Sequence, residues 1–171
     1  TPAARSRRTA SRLVSRTALG ILLDDFAAGR ARDECAIERM LYGSFLAGAA
    51  IDNAGVGVAH ALSYPLGAEH GVPHGLANGA LLAAVLEFDL AVENERTREL
   101  RALLAARFGT DPLAGLRRFL VENGFTLDDV LPRLDDATLA DYARRAMGVN
   151  RILANNIRPV ASVEELVGIY R

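Results

Sequence analysis

All three histidines of this chain, His60, His70 and His74, fall within one stretch, NAGVGVAHALSYPLGAEHGVPHG, that also holds five glycines and two prolines. Glycine frees the backbone, while proline locks φ and removes a hydrogen-bond donor, so together they interrupt regular structure more strongly than other residues. Residues 52–75 are therefore expected as an irregular connection between helices. A connection of that length is uncommon in a compact domain unless it serves a site. His60 and His74 are fourteen residues apart and cannot stand on adjacent turns of one helix. Their convergence needs a chain reversal, which Pro65, Gly67, Gly71 and Pro73 can supply.

On either side of this stretch the apolar residues recur at helical spacing. Helices are expected over about residues 9–28, with Gly29 as the stop, and from an Asp33 cap to about residue 51. Further helices are expected at 74–90, 93–108, 112–122, 127–131, 137–147 and 163–170, with Asp111 and Ser162 as good starts. The helix after Asp33 contains Gly43, Ser44, Ala47, Gly48, Ala49 and Ala50, a face bare enough for close contact. No segment alternates as a strand does. Aromatics make up only 6% of the residues, which also favours packed helices over sheet. The expected class is all-α, a multi-helix bundle.

Several functions are closed by composition. A net charge of −1 provides no basic field for nucleic acid or an anionic membrane. No apolar run reaches the roughly 18 residues of a membrane span, and a cytoplasmic location is expected. The acid-free start, with Arg5, Arg7, Arg8, Arg12 and Arg16, is read as the wet face of an amphipathic helix rather than a targeting segment or nucleic-acid arm. All 20 basic residues are arginines, which removes Schiff-base lysines and the phosphate-loop lysine. The single cysteine, Cys35, excludes an internal disulfide and is expected as a small buried side chain. Gly55 and Gly57 follow no strand, so a dinucleotide loop is not expected; they should instead permit close backbone packing. The acidic pairs Asp24/Asp25, Asp128/Asp129 and Asp135/Asp136 read as caps and solvated faces, and Arg117/Arg118 and Arg144/Arg145 as surface charge.

Spacing alone leaves two readings of the histidines. They could be ligands of a divalent metal, or they could cap helices, bond carbonyls or face water.

The string GVGVAHALSYPLGAEHGVPHGLANGALLAAVLEFD resembles the signature of the iron-containing (group III) alcohol dehydrogenases over 35 consecutive positions. His60, Pro65, Leu66, Gly67, Pro73, His74, Gly75, Ala77 and Asn78 all match. Closer to the end, ANNIRPVASVEELVGIY resembles the family's closing Asn-Pro-Arg and final helix. The resemblance implies that residues 1–171 are a single helical metal-binding domain, of the type shared with dehydroquinate synthase-like enzymes. It would form the C-terminal part of a two-domain enzyme whose N-terminal Rossmann-like domain holds NAD or NADP.

The implied activity is hydride transfer between that cofactor and a small alcohol or aldehyde, assisted by iron or zinc. The family uses an aspartate and three histidines as metal ligands, and His60 and His74 match two of them. The others would come from an Asp-x-x-x-His helix upstream of Thr1, so the isolated chain is expected to be inactive. Asp52, Glu69 and His70 are the nearby residues that could complete the set locally. Tyr64 and His70 are expected on the substrate side, and self-association as a homodimer is plausible. Glycerol dehydrogenase and maleylacetate reductase-like enzymes of the same superfamily are alternatives, as is a non-catalytic helical interaction module. Three departures stand out: Tyr64 where many members have a histidine, Ala83 and Ala84 in place of a frequent Pro-His pair, and Ile157 in place of a proline.

Overall fold

The computed structural model describes the backbone of residues 2–130 and 134–171 and the side chains of residues 10–128 and 134–171. Every regular element among them is a helix, the class that composition and periodicity favoured. The chain divides after Gly55 into two compact units.

The first unit is a helical hairpin of α1 (Pro2–Arg30) and α2 (Glu34–Ala54). Asp33 caps α2 as expected, its carboxylate accepting from the Ala36 N–H at 2.7 Å. Gly43 is one place where the two helices approach closely: a Cβ there would lie 3.0 Å from Ile21 Cγ2 and 3.3 Å from Leu22 Cγ. Asp25 on α1 pairs with Arg39 on α2 through two hydrogen bonds of 2.9 and 2.5 Å, so this acid is a partner between helices rather than a solvated charge. Two expectations are corrected. Gly29 does not stop α1, which runs on to Arg30 and turns through Arg32 at φ 65°; Gly29 instead leaves room for Met40. Cys35 is exposed, because α2 turns Ala36 rather than its neighbour inward.

The second unit comprises α3 (Val58–His70), α4 (His74–Leu90), α5 (Glu95–Phe108), α6 (Pro112–Glu122), α7 (Leu127–Val130), α8 (Asp136–Met147), α9 (Asn150–Leu153) and α10 (Val163–Tyr170). Leu131, expected at the end of α7, lies outside the described residues. Side-chain caps at Asn94, Asp111, Asp135 and Ser162 start α5, α6, α8 and α10, each satisfying an otherwise unpaired N–H of the first turn. The long helix α4 is apolar around much of its surface and separates two cores. Ala77, Leu81 and Val85 join Leu62, Leu66, Tyr142, Leu166 and Ile169, while Leu82, Leu86 and Leu90 meet Leu104, Leu116 and Leu120. A helix buried on both sides needs this all-round hydrophobicity.

The main correction to the sequence reading concerns residues 52–75, most of which are helical. Val58, Ala61, Leu62, Pro65 and Leu66 are all buried, and their offsets of 3, 4, 7 and 8 residues form one helical stripe. That stripe outweighs Pro65, which sits inside α3 without an N–H to offer the preceding turn. The reversal between His60 and His74 is only Gly71, Val72 and Pro73. Gly71 is left-handed at φ 66°, ψ 16°, a conformation that glycine adopts without Cβ strain. Val72 N–H then reaches back to Leu66 O at 3.2 Å.

Candidate metal centre

His60 lies in the first turn of α3 and His74 is the first residue of α4. Across the short reversal their ring centroids come to 5.1 Å, with the planes at 59°. Two imidazoles that donate to one ion at normal metal–nitrogen lengths and a near-tetrahedral angle have centres about 5 Å apart. The observed separation fits a shared cation. Burial, and then the facing His74, hold the His60 imidazole below its ordinary value, which keeps it in the neutral form that a metal needs.

The backbone under the two rings is tied together by side chains. Ser63, which is buried, donates to the His60 carbonyl at 3.0 Å. The Asn78 amide donates to Ser63 Oγ at 3.1 Å and to the His74 carbonyl at 2.9 Å. It also lies 3.4 Å from each His74 ring nitrogen. With its nitrogen aimed this way, Asn78 Oδ1 is buried with no hydrogen-bond partner among the described residues.

Among the described residues no third histidine, cysteine, aspartate or glutamate joins the pair. A catalytic divalent site ordinarily takes three protein ligands and keeps an open position, so the residues present fit half of such a site. The chemistry of the pair suits the role: two imidazoles face each other, one partly exposed and the other exposed, at a spacing one ion can bridge.

Tyr64 stands one turn after His60, on the same face of α3, and is 46% exposed. His70 stands elsewhere. It is ten residues beyond His60, about 15 Å of helical rise, and its Nε2 lies 2.8 Å from the hydroxyl of Tyr142 on α8. Tyr142 donates to Glu69 Oε2 at 2.7 Å, and Arg145 pairs with Glu69 Oε1 at 2.5 Å. The His70 ring thus serves as the donor to the tyrosine oxygen. Burial, and then the Glu69 carboxylate, push the Tyr142 hydroxyl up to about 12, so it stays a donor. Glu69 and His70 belong to this α3–α8 contact, and Asp52 belongs to the first unit.

The sequence reading did not single out Ser63 and Asn156. Gly57, the residue before α3, has no side chain to cap it. Asn156, 98 residues further on, places Oδ1 3.0 Å from the Val58 N–H. The Asn156 amide in turn donates to Asp89 Oδ1 at 2.5 Å and to Arg158 O at 3.0 Å. Asparagine within the string ANNIRP was the only signal of this, and nothing local to it indicates the partner.

In an all-helical chain, two imidazoles thus face each other from the first turns of two successive helices. Residues 21–171 match the model of the Fe-containing alcohol dehydrogenase family, C-terminal, and the chain belongs to that family. It is 34% identical over 149 residues to a probable alcohol dehydrogenase, EutG, of Escherichia coli strain K12, covering 84% of this chain and 36% of that protein. It is 31% identical over 159 residues to lactaldehyde reductase of the same organism, covering 90% and 42%. The fold is that of the iron-containing alcohol dehydrogenase of Thermococcus thioreducens, with a TM-score of 0.81 at 22% identity over 94% of this chain and 43% of the other. The chain therefore spans well under half the length of these relatives.

Proposed function

We propose that this chain is the metal- and substrate-binding helical half of an NAD(P)-dependent alcohol dehydrogenase or aldehyde reductase, with His60 and His74 as two of its metal ligands. The observation that carries this reading is the 5.1 Å separation of the two rings. The family match runs through both compact units, which supports treating residues 1–171 as one helical domain. The relatives named as an alcohol dehydrogenase and an aldehyde reductase support the reaction class.

The chemistry supplied on binding is polarisation of an alcohol or carbonyl oxygen by divalent iron or zinc, and hydride exchange by NAD or NADP. His60 and His74 would hold the ion through neutral ring nitrogens. Ser63 and Asn78 tie together the two turns that would present these rings to the ion. Tyr64, on the His60 face, offers an aromatic wall and a hydroxyl to a small substrate. His70, held by Tyr142, fastens α3 to α8 instead. We infer that the nucleotide site and the remaining ligands, an Asp-x-x-x-His pair, come from the part of the enzyme that these residues do not include.

Metal analysis of the full-length enzyme tests the reading. His60→Ala and His74→Ala should each strip iron or zinc and abolish NAD(P)H-dependent aldehyde reduction, whereas His70→Ala should retain the ion. Normal metal content in both of the first two variants would refute it.

A further inference from the structure

We propose that Asn156 is a positioning residue for the ligand His60, acting from the C-terminal segment as the cap that Gly57 cannot supply, and that position 57 is glycine to admit it. This inference rests on the metal-site reading above. The first N–H groups of a helix have no partner within the helix, and an end left uncapped frays. His60 is in that first turn, two residues after Val58, and its own N–H already leans back on Gly57 O at 3.1 Å. Fraying there would swing the imidazole away from His74.

Asn156 closes the gap. Its Oδ1 accepts from Val58 N–H at 3.0 Å, and a Cβ at position 57 would lie 2.8 Å from the same oxygen. Any larger residue at 57 would displace the cap. The amide nitrogen of Asn156 is held by Asp89, which is 4% exposed near the end of α4, at 2.5 Å, and by Arg158 O at 3.0 Å. Asp89 also accepts from the Arg158 N–H at 3.3 Å. One side chain therefore fixes the start of α3 to the far end of α4, the helix that His74 begins. Together with the Ser63–Asn78 bridge, this pins α3 against α4 at two places, one on each side of His60.

The test uses the full-length enzyme, with Zn2+ affinity measured by chelator competition and Co2+ absorption as a signature of ligand geometry. Gly57→Ala displaces the cap sterically. Asn156→Asp keeps the acceptor for Val58 but turns a carboxylate toward Asp89. The pair Asp89→Asn with Asn156→Asp restores a donor and an acceptor with their sense reversed. Gly57→Ala and Asn156→Asp should weaken Zn2+ binding roughly 10- to 100-fold, as loss of a group supporting a metal ligand does, and should alter the Co2+ spectrum. The double variant should recover both. If Asn156→Asp does not fold, Gly57→Ala and the double variant still decide the matter. Wild-type Zn2+ affinity and Co2+ spectrum in folded Gly57→Ala, or a folded double variant that fails to recover them, would overturn the proposal. His60→Ala separates the two levels: if it too keeps Zn2+, the metal-site reading has failed, and if it alone loses Zn2+, only the role of Asn156 has failed.

Discussion

The Asn78 side-chain amide donates to Ser63 Oγ at 3.1 Å, and through that contact the two histidine-bearing turns share one hydrogen-bonded path. From Ser63 the path runs to the His60 carbonyl, and from Asn78 to the His74 carbonyl. Ser63 is the buried member of this network, and there the bonds count most, because a deletion leaves a neighbour unsatisfied away from water.

Ser63→Ala should therefore destabilise the protein by about 1–3 kcal/mol and weaken Zn2+ binding. Urea denaturation and chelator competition measure the two effects. A variant with unchanged stability would mean that the bridge contributes nothing.

Tyr142 occupies the centre of the contact between α3 and α8. Tyr142→Phe keeps the ring in the core and removes the hydroxyl that joins Glu69 and His70. It should lower stability by about 1–2 kcal/mol while metal content stays normal. Loss of metal would draw the Glu69–His70 cluster into the site.

Acid should act through Glu69. Its hydrogen bond with Arg145, followed by that from Tyr142, holds the carboxyl below its ordinary value. A depressed folded-state pKa means that the stabilisation is complete above the ordinary glutamate value and is lost as pH falls through the lower, folded value. Thermal melts from about pH 6 down to about pH 3 should show a steeper acid limb for the wild type than for Glu69→Gln. Parallel limbs would remove Glu69 from the acid transition.

Gly71 makes the left-handed turn that brings α4 back toward α3, and a Cβ there would meet nothing within 4 Å. The penalty for Gly71→Ala is thus conformational rather than steric, about 1–2 kcal/mol. Gly71→Asn should cost less, since asparagine tolerates this region better. Chemical denaturation of the two variants gives the ranking, and equal stability of all three proteins would contradict the assignment.

Most helix starts were legible from local signals, although the local stop expected at Gly29 was not used, since α1 runs on to Arg30. Asp33, Asp111 and Ser162 cap helices as their positions suggested, and α4 begins at His74 and ends at Leu90. The reading failed where two local signals competed. In 52–75 the glycines and Pro65 suggested a loop, while the apolar stripe from Val58 to Leu66 indicated the helix that forms. Burial of that stripe decided the outcome, at roughly 1.5–3 kcal/mol for each large apolar side chain, which exceeds the loss of one backbone hydrogen bond at Pro65.

By itself the sequence determined which residues could cap, turn and cover, and that His60 and His74 would be separated by a glycine–proline reversal. These properties depend on neighbours within a few positions, where backbone geometry fixes who meets whom. Only the tertiary structure decided that Asn156 would cap a helix 98 residues away and that Tyr142 would engage His70 across 72. Contacts of that range follow from how whole helices pack, and no short window of sequence encodes the partner.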